Sequence, residues 1–124
     1  MLDIERMYDL IDEGKLVIWE LRRDAEILGT LIANGWYDTP WIGGDFKASP
    51  DFDNYRPLFR AFNNKRVFTV EKYQEIQKQV AALRLTLFPA NENALPGRVE
   101  ALVIMDELKA QLIVDFEEPD EVEG

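Results

Sequence analysis

Residues 16–33, with the sequence LVIWELRRDAEILGTLIA, carry the clearest structural pattern in this chain of 124 residues. Apolar side chains alternate at Val17, Trp19 and Leu21, which is the period-two pattern of a strand that buries one face. Residues 27–33 have the same apolar and β-branched character, and a short polar run separates the two segments. The stretch therefore predicts an antiparallel hairpin.

This hairpin is expected to extend into a three-stranded meander behind a short helix. Residues 2–11 have apolar side chains at helical spacing, and Gly14 is placed to end that helix. A third strand is predicted at residues 41–46, after a loop that contains the turn dipeptide Asn34-Gly35.

Two helices are predicted in the middle of the chain. Ser49-Pro50 marks the start of the first, because serine suits the N-cap and proline suits the first helical position. Aromatic residues then recur every three or four positions and are interpreted as core: Phe52, Tyr55, Phe59 and Phe62. The second helix is predicted from Thr69 to residue 82. Its expected buried residues are Val70, Tyr73, Ile76, Val80 and Leu83.

The last part of the chain predicts three more strands. Residues 83–88 alternate in polarity, residues 89–98 predict a loop, and residues 99–105 and 110–116 predict a closing hairpin. Strands grouped on either side of paired helices, without βαβ alternation, are typical of the α+β class. We therefore predict an α+β single domain with a mainly antiparallel sheet, built from a β-meander, two helices and then three more strands, with a short N-terminal helix.

The domain is expected to span residues 1–116. Six acidic side chains lie within the last ten residues, so residues 117–124 are expected to form an acidic, disordered tail. If the strand at residues 110–116 lies at an open edge of the sheet, it would be able to pair with a second copy of the chain and form a homodimer.

Composition and the length of the apolar runs predict a globular protein that is not bound to a membrane. The hydrophobic fraction is 47% and the charged fraction 31%, close to the globular average. The apolar runs are far shorter than the ~20 residues of a membrane-spanning helix, and the acidic N-terminus is unlike a signal peptide. Because the chain also contains no cysteine, the sequence predicts a cytoplasmic protein.

Charge is distributed unevenly along the chain. The net charge is −10, yet residues 56–84 carry seven basic and two acidic side chains. Six of these basic residues form a candidate basic patch: Arg56, Arg60, Lys65, Arg66, Lys72 and Lys78. This patch is either a solvated helix face or a contact for an acidic protein or a nucleic-acid backbone. The net negative charge disfavours nucleic acid as a partner.

A second candidate surface is aromatic. Four aromatic residues cluster around a segment rich in glycine, which is expected to be a loop: Trp36, Tyr37, Trp41 and Phe46. Aromatic side chains on loops are frequent at binding hot spots, so these four are candidates for contact with an unknown protein partner. The alternative is that some or all of them cover the core.

The residue inventory excludes most familiar catalytic chemistry. The chain has no cysteine and no histidine, so it can build neither a thiolate nucleophile nor an imidazole base. Asp51 and Asp53 have a spacing that suits a metal ion, but the first turn of a helix favours acidic residues regardless of function. No catalytic, cofactor-binding or metal-binding residue is predicted, and the protein is not expected to be an enzyme.

Several short motifs lie in the first half of the chain: WELRRD at residues 19–24, LG at 28–29, PW at 40–41 with Gly44 and Phe46, and RPLF at 56–59. Together they resemble a pattern shared by small bacterial proteins that are common in actinobacteria. The resemblance implies a shared fold. It implies no activity, because that group is functionally uncharacterised.

Three functions are compatible with these patterns. The preferred one is a small non-enzymatic protein-interaction domain of the inhibitor, immunity or adaptor type, because it needs no catalytic group. The second is a protein associated with nucleic acid, either through the basic helices at residues 56–84 or through acidic mimicry. The third is a small-ligand binder or a carboxylate-dependent enzyme with a pocket between helices and sheet.

Overall fold

The computed structural model describes residues 2–38, 41–60, 69–105 and 108–117. Its strands are β1 Val17–Arg23, β2 Glu26–Asp38, β3 Trp41–Ala48, β4 Thr86–Pro89, β5 Gly97–Met105 and β6 Lys109–Phe116. These strands form a closed barrel in the order β1-β2-β3-β6-β5-β4, with β4 returning to β1 and every neighbouring pair antiparallel. The side chains that face the inside of the barrel form the core.

Four helical segments accompany the barrel in the described residues: α1 Ile4–Asp12, a 3-10 helix Pro50–Asn54, α2 Arg56–Arg60 and α3 Val70–Leu83. Side-chain caps set two of the starts. The carboxylate of Asp3 accepts a hydrogen bond from the Arg6 N–H at 2.8 Å, and the Thr69 hydroxyl accepts one from the Lys72 N–H at 3.1 Å. No described helix combines the length and the apolar character needed to cross a bilayer.

The predicted fold class, an open α+β sheet, was wrong. A barrel strand buries one face, and so does a strand of an open sheet packed against helices, so both produce the same period-two pattern. The closed form depends on two pairings between distant segments, β1 with β4 and β3 with β6. Neither pairing leaves a trace in local periodicity.

The closed topology corrects two further expectations. Strand β6 pairs with β5 and, over residues 109–112, also with β3, so this part of the strand does not lie at an open sheet edge as expected. The homodimer itself stays a prediction. Gly35 lies inside β2 rather than in a loop, with φ of 135° at a break in the β2–β3 register. A glycine tolerates that conformation, so the turn signal at Asn34-Gly35 marks an irregularity within a strand.

The predicted aromatic helix is split in two. Ser49 is the N-cap of the 3-10 helix, but its side chain makes no capping hydrogen bond. Phe52, Tyr55 and Phe59 are buried as expected, and Phe62 lies outside the described residues.

In α3 the prediction that Val70 is buried was wrong, because its side chain is 73% exposed. The predicted acidic tail from residue 118 onward also lies outside the described residues.

Two buried aromatic side chains connect the barrel with the segments between its strands. Trp19 of β1 is buried, and its indole N–H donates to the Leu95 carbonyl at 2.9 Å. Phe52 packs edge-on against Phe46, with ring centroids 5.0 Å apart, and stacks on Phe59 at 5.7 Å. These contacts join the connecting segments to the barrel interior.

The barrel has a narrow seam between β4 and β5. These two strands pair over only two register positions, one of which is Thr86 with Arg98. One more backbone hydrogen bond, from the Val99 N–H to the Leu85 carbonyl at 3.0 Å, continues the contact. Beyond this point helix α3 lies beside β5 in place of a strand.

Where β5 extends beyond its pairing with β4, the side chain of Gln77 in α3 forms hydrogen bonds with the β5 backbone. Its side-chain amide donates to the Leu102 carbonyl at 3.1 Å, and its side-chain oxygen accepts from the Leu102 N–H at 3.3 Å. One side chain therefore satisfies both backbone groups of a strand residue that would otherwise need a ladder partner.

Replacing Gln77 by leucine is expected to lower the free energy of unfolding by about 1–3 kcal/mol, because both backbone groups of Leu102 lose their partner. The matched control is Gln79→Leu, which changes an exposed glutamine of the same helix. Urea unfolding of both variants provides the measurement. Equal stability of the two variants would contradict the assigned role of Gln77.

Candidate binding surface around strand β4

The segment that leads into and through β4 alternates strictly between core and solvent. Leu85 and Leu87 are each 1% exposed, whereas Arg84, Thr86 and Phe88 are exposed. Arg84 is the C-cap of α3 and has φ of 53°, the left-handed conformation that ends the helix. The switch from helix to strand therefore places a guanidinium, a hydroxyl and an aromatic ring on the outside of the barrel.

Two more guanidinium groups flank this strand. Thr86 is the register partner of Arg22 in β1 on one side and of Arg98 in β5 on the other. The Arg22 guanidinium lies over the Phe88 ring, 4.1 Å from its centroid, which is a cation–π geometry. We call Arg22, Thr86, Phe88 and Arg98 the β4 surface.

Acidic side chains balance the arginines of the β4 surface. The Arg22 Nε donates to the Glu20 carboxylate at 3.0 Å, and an Arg98 Nη donates to Asp115 at 2.7 Å. The hydrogen bond and the charge of Asp115 raise the pKa of the Arg98 guanidinium, so it stays charged at any physiological pH. The β4 surface is therefore close to neutral on a molecule whose net charge is −10.

Two exposed apolar side chains lie near the paired strands β1 and β4. Phe88 is 50% exposed, and Leu16, which precedes β1, is 59% exposed. The Asn91 side chain ties the two strands together beyond the end of β4, since it donates to the Leu16 carbonyl at 2.9 Å and accepts from the Ile18 N–H at 3.3 Å. The asparagines after β4 thus have a structural role that the predicted loop did not indicate.

A groove opens beside the β4 surface, where β4 and β5 diverge and α3 ends. Its volume is about 560 Å³. We call it the Arg84 groove, and its lining residues are Ala81, Arg84, Leu85, Thr86, Arg98, Val99 and Glu100. The backbone N–H of Arg84 donates to the Ala81 carbonyl at 3.1 Å, whereas its side chain has no hydrogen-bond or ion-pair partner among the described residues. The groove therefore offers an unpaired guanidinium above an apolar floor.

The four residues of the predicted aromatic loop have different positions in the structure. Phe46 is 3% exposed and packs inside the barrel, so its prediction as a partner contact was wrong. Trp41 is partly buried in β3. Trp36 and Tyr37 belong to β2, and their side chains lie outside what the structure describes. The glycines at positions 43 and 44 lie in β3, in agreement with the strand predicted at residues 41–46. A partner contact by Trp36, Tyr37 and Trp41 stays a prediction.

The candidate basic patch is divided between two helices. Arg56 in α2 donates to Asp53 at 2.7 Å, and Lys72 in α3 lies 3.9 Å from Glu75. Arg60 and Lys78 are exposed on the same two helices, and Lys65 and Arg66 lie outside the described residues. Acidic neighbours thus reduce the positive field of the part of this patch that the structure describes.

Among the described residues that line the Arg84 groove, Glu100 is the one carboxylate, whereas glycoside hydrolysis uses a pair. Within the described ranges, no group of three or more acidic side chains is arranged to hold a metal ion.

Comparisons of the chain with protein-family models, with curated proteins and with solved structures found no match. The resemblance to small bacterial proteins therefore stays a proposal. Several residues of that pattern have architectural roles here. Trp19 is core, and a Cβ on Gly29 would lie 2.5 Å from the Phe46 ring, so this position requires glycine for close packing. The structure defines a small closed β-barrel that carries Phe88 and its neighbouring arginines on its outer surface.

Proposed function

We propose that the protein is a small non-enzymatic protein-interaction domain and that the β4 surface is its contact face. The observation that carries this proposal is the half-exposed Phe88 ring, held under the Arg22 guanidinium at 4.1 Å. Aromatic residues and arginine are the types most enriched at interface hot spots, and pairing restricts both side chains before a partner binds. A cytoplasmic location remains part of the proposal.

The charge balance of the β4 surface favours a protein over a nucleic acid. Glu20 and Asp115 are bonded to the two flanking arginines and would face an approaching phosphate backbone. One face of the Phe88 ring is already covered by Arg22, so that face has no room for a stacked base. A partner protein instead needs an apolar contact for Phe88 and hydrogen-bond acceptors for the arginine N–H groups that stay unused.

A Phe88→Thr variant tests this face. Threonine suits an outward strand position, so the barrel is expected to stay folded. Loss of the hot-spot ring is expected to weaken partner binding by about tenfold or more. The measurement is affinity capture from native extract with mass spectrometry, followed by calorimetry with the partner identified. A self-associating chain would appear in the same capture, and light scattering would show its loss in the variant.

Leu108→Thr is the matched control, because Leu108 is 66% exposed and lies at the β5–β6 turn rather than beside β4. The control variant should retain every partner that the wild-type chain captures. If Phe88→Thr retains them equally well while staying folded, the β4 surface is not the contact face.

A further inference from the structure

We infer that the Arg84 groove is a binding site for a small monocarboxylate with an apolar body. This site shares Thr86 and Arg98 with the β4 surface but includes neither Phe88 nor Arg22, and its ligand is a small molecule, so it goes beyond the proposed protein contact. The groove lies where the chain leaves α3 at the left-handed Arg84 and enters β4, which pairs with β5 over only two register positions. The site is therefore formed by the narrow seam of the barrel.

The arginine side chains that line the groove have hydrogen-bond donors that are not used within the protein. The Arg84 side chain has no partner among the described residues, so its guanidinium N–H groups are open to a ligand. Arg98 uses an Nη to bind Asp115 and retains further donors. The Thr86 hydroxyl adds a donor and acceptor between the two arginines. A planar carboxylate matches the forked geometry of a guanidinium, which favours it over a single-point acceptor.

The floor of the groove is apolar. Leu85 and Val99 lie beneath the rim and are 1% and 9% exposed, and the Ala81 methyl group extends the same surface from α3. Each methylene group that a ligand buries there contributes to binding by the hydrophobic effect. The volume of about 560 Å³ falls within the range of small-molecule sites.

Glu100 limits the charge of the ligand. Its exposed carboxylate lines the same groove, and Asp115 sits on the far side of Arg98. A phosphate dianion or a polyphosphate would meet these negative charges, whereas a single carboxylate can be bound near Arg84 and away from Glu100. The arrangement therefore selects a monoanion.

Hexanoate is a suitable probe, and amide NMR titration of the full chain is the measurement. Hexanoate is expected to shift the amides of residues 84–86 and 98–100 with roughly millimolar affinity. Hexanol, which has the same body without the charge, should bind several-fold more weakly at the same residues. Inorganic phosphate should cause no localised shift.

Two variants separate the guanidinium from general charge effects. Arg84→Gln should weaken hexanoate binding about tenfold and leave hexanol binding unchanged. Lys78→Gln removes the same unit of charge from an exposed position on the same helix and should change neither. Glu100→Gln should strengthen hexanoate binding and allow phosphate to bind.

Three results would overturn the inference. One is an absence of localised shifts with hexanoate. Another is equal binding of hexanoate and hexanol by the wild-type chain. The third is an equal loss of hexanoate binding in the Arg84 and Lys78 variants, which would show that the ligand responds to net charge and not to the groove.

Discussion

A Trp19→Ala variant is expected to lose about 3–5 kcal/mol of unfolding free energy, a large part of the stability of a domain of this size. Trp19 is 1% exposed inside the barrel and stacks on Phe116 with ring centroids 5.8 Å apart. Its indole N–H also binds the Leu95 carbonyl, so truncation leaves both a cavity and an unsatisfied backbone group. The variant should therefore destabilise both the strands that contact the Trp19 ring and the segment before β5 that contains Leu95.

Trp19→Phe separates the two contributions. This variant keeps most of the ring volume and removes the donor, so its cost should be about 1–3 kcal/mol. Urea unfolding followed by far-UV circular dichroism measures both variants, because the spectrum does not depend on the tryptophan that is removed. Leu108→Ala, at an exposed position, should stay within about 0.5 kcal/mol of the wild-type chain. A Trp19→Ala loss as small as this control would contradict the position of the indole.

Phe52→Ala is the second large effect, with an expected loss of about 3–5 kcal/mol. Phe52 is 0% exposed in the 3-10 helix, where it packs on Phe46 from the barrel and on Phe59 from α2. Arg56 lies over the same ring, 5.2 Å from its centroid. Truncation therefore removes the side chain that connects the barrel with the two short helices.

Asn54→Ala is the control for this position, since Asn54 is exposed on the same 3-10 helix and should change stability by less than about 0.5 kcal/mol. Amide hydrogen exchange adds a spatial measurement. Phe52→Ala should reduce the protection of amides near residues 46 and 59 more than that of amides near Trp19. Uniform loss of protection along all strands would instead show that the region around Phe52 does not unfold separately from the rest of the barrel.

The two proposed binding sites share Thr86 and Arg98, but each can be tested with a variant outside this overlap. Phe88→Thr changes the β4 surface without altering the lining of the Arg84 groove, and Arg84→Gln changes the groove without altering the β4 surface. Loss of a protein partner in the first variant alone and loss of hexanoate in the second alone would show two separate functions. Loss of both in either variant would show that a ligand and a partner compete for one continuous surface.

Local patterns in the sequence located most of the secondary structure. The alternation from Val17 to Leu21 corresponds to β1, and Thr69 caps α3 as predicted. The wrong predictions concern side chains whose burial is not determined by their neighbours along the chain. Val70 was expected to be buried because its spacing fits the apolar stripe, but it lies in the first turn of α3 and faces solvent. Phe46 was a candidate partner contact, but it lies at an inward position of β3 and is buried.

The sequence indicated neither of the two proposed sites, the β4 surface and the Arg84 groove, and the reason is physical. Arg22, Thr86 and Arg98 become neighbours only through the pairing of β1, β4 and β5. The predicted strand at residues 83–88 contained two of the exposed side chains, Thr86 and Phe88, but gave no sign of what would flank them. The short pairing between β4 and β5, beside which the groove lies, could be identified only from the strand order of the closed barrel.

The amino-acid sequence by itself determined the local properties of this protein: the alternation that makes strands, the caps that start helices, and the lack of histidine and cysteine that excludes imidazole and thiolate chemistry. These properties depend on residue type and on spacing of a few positions. Only the tertiary structure decided that the strands close into a barrel, that Phe46 is buried, and that Arg22 and Arg98 flank Thr86. Those outcomes depend on which distant strands pair, and pairing is determined by packing of the whole core rather than by any single segment.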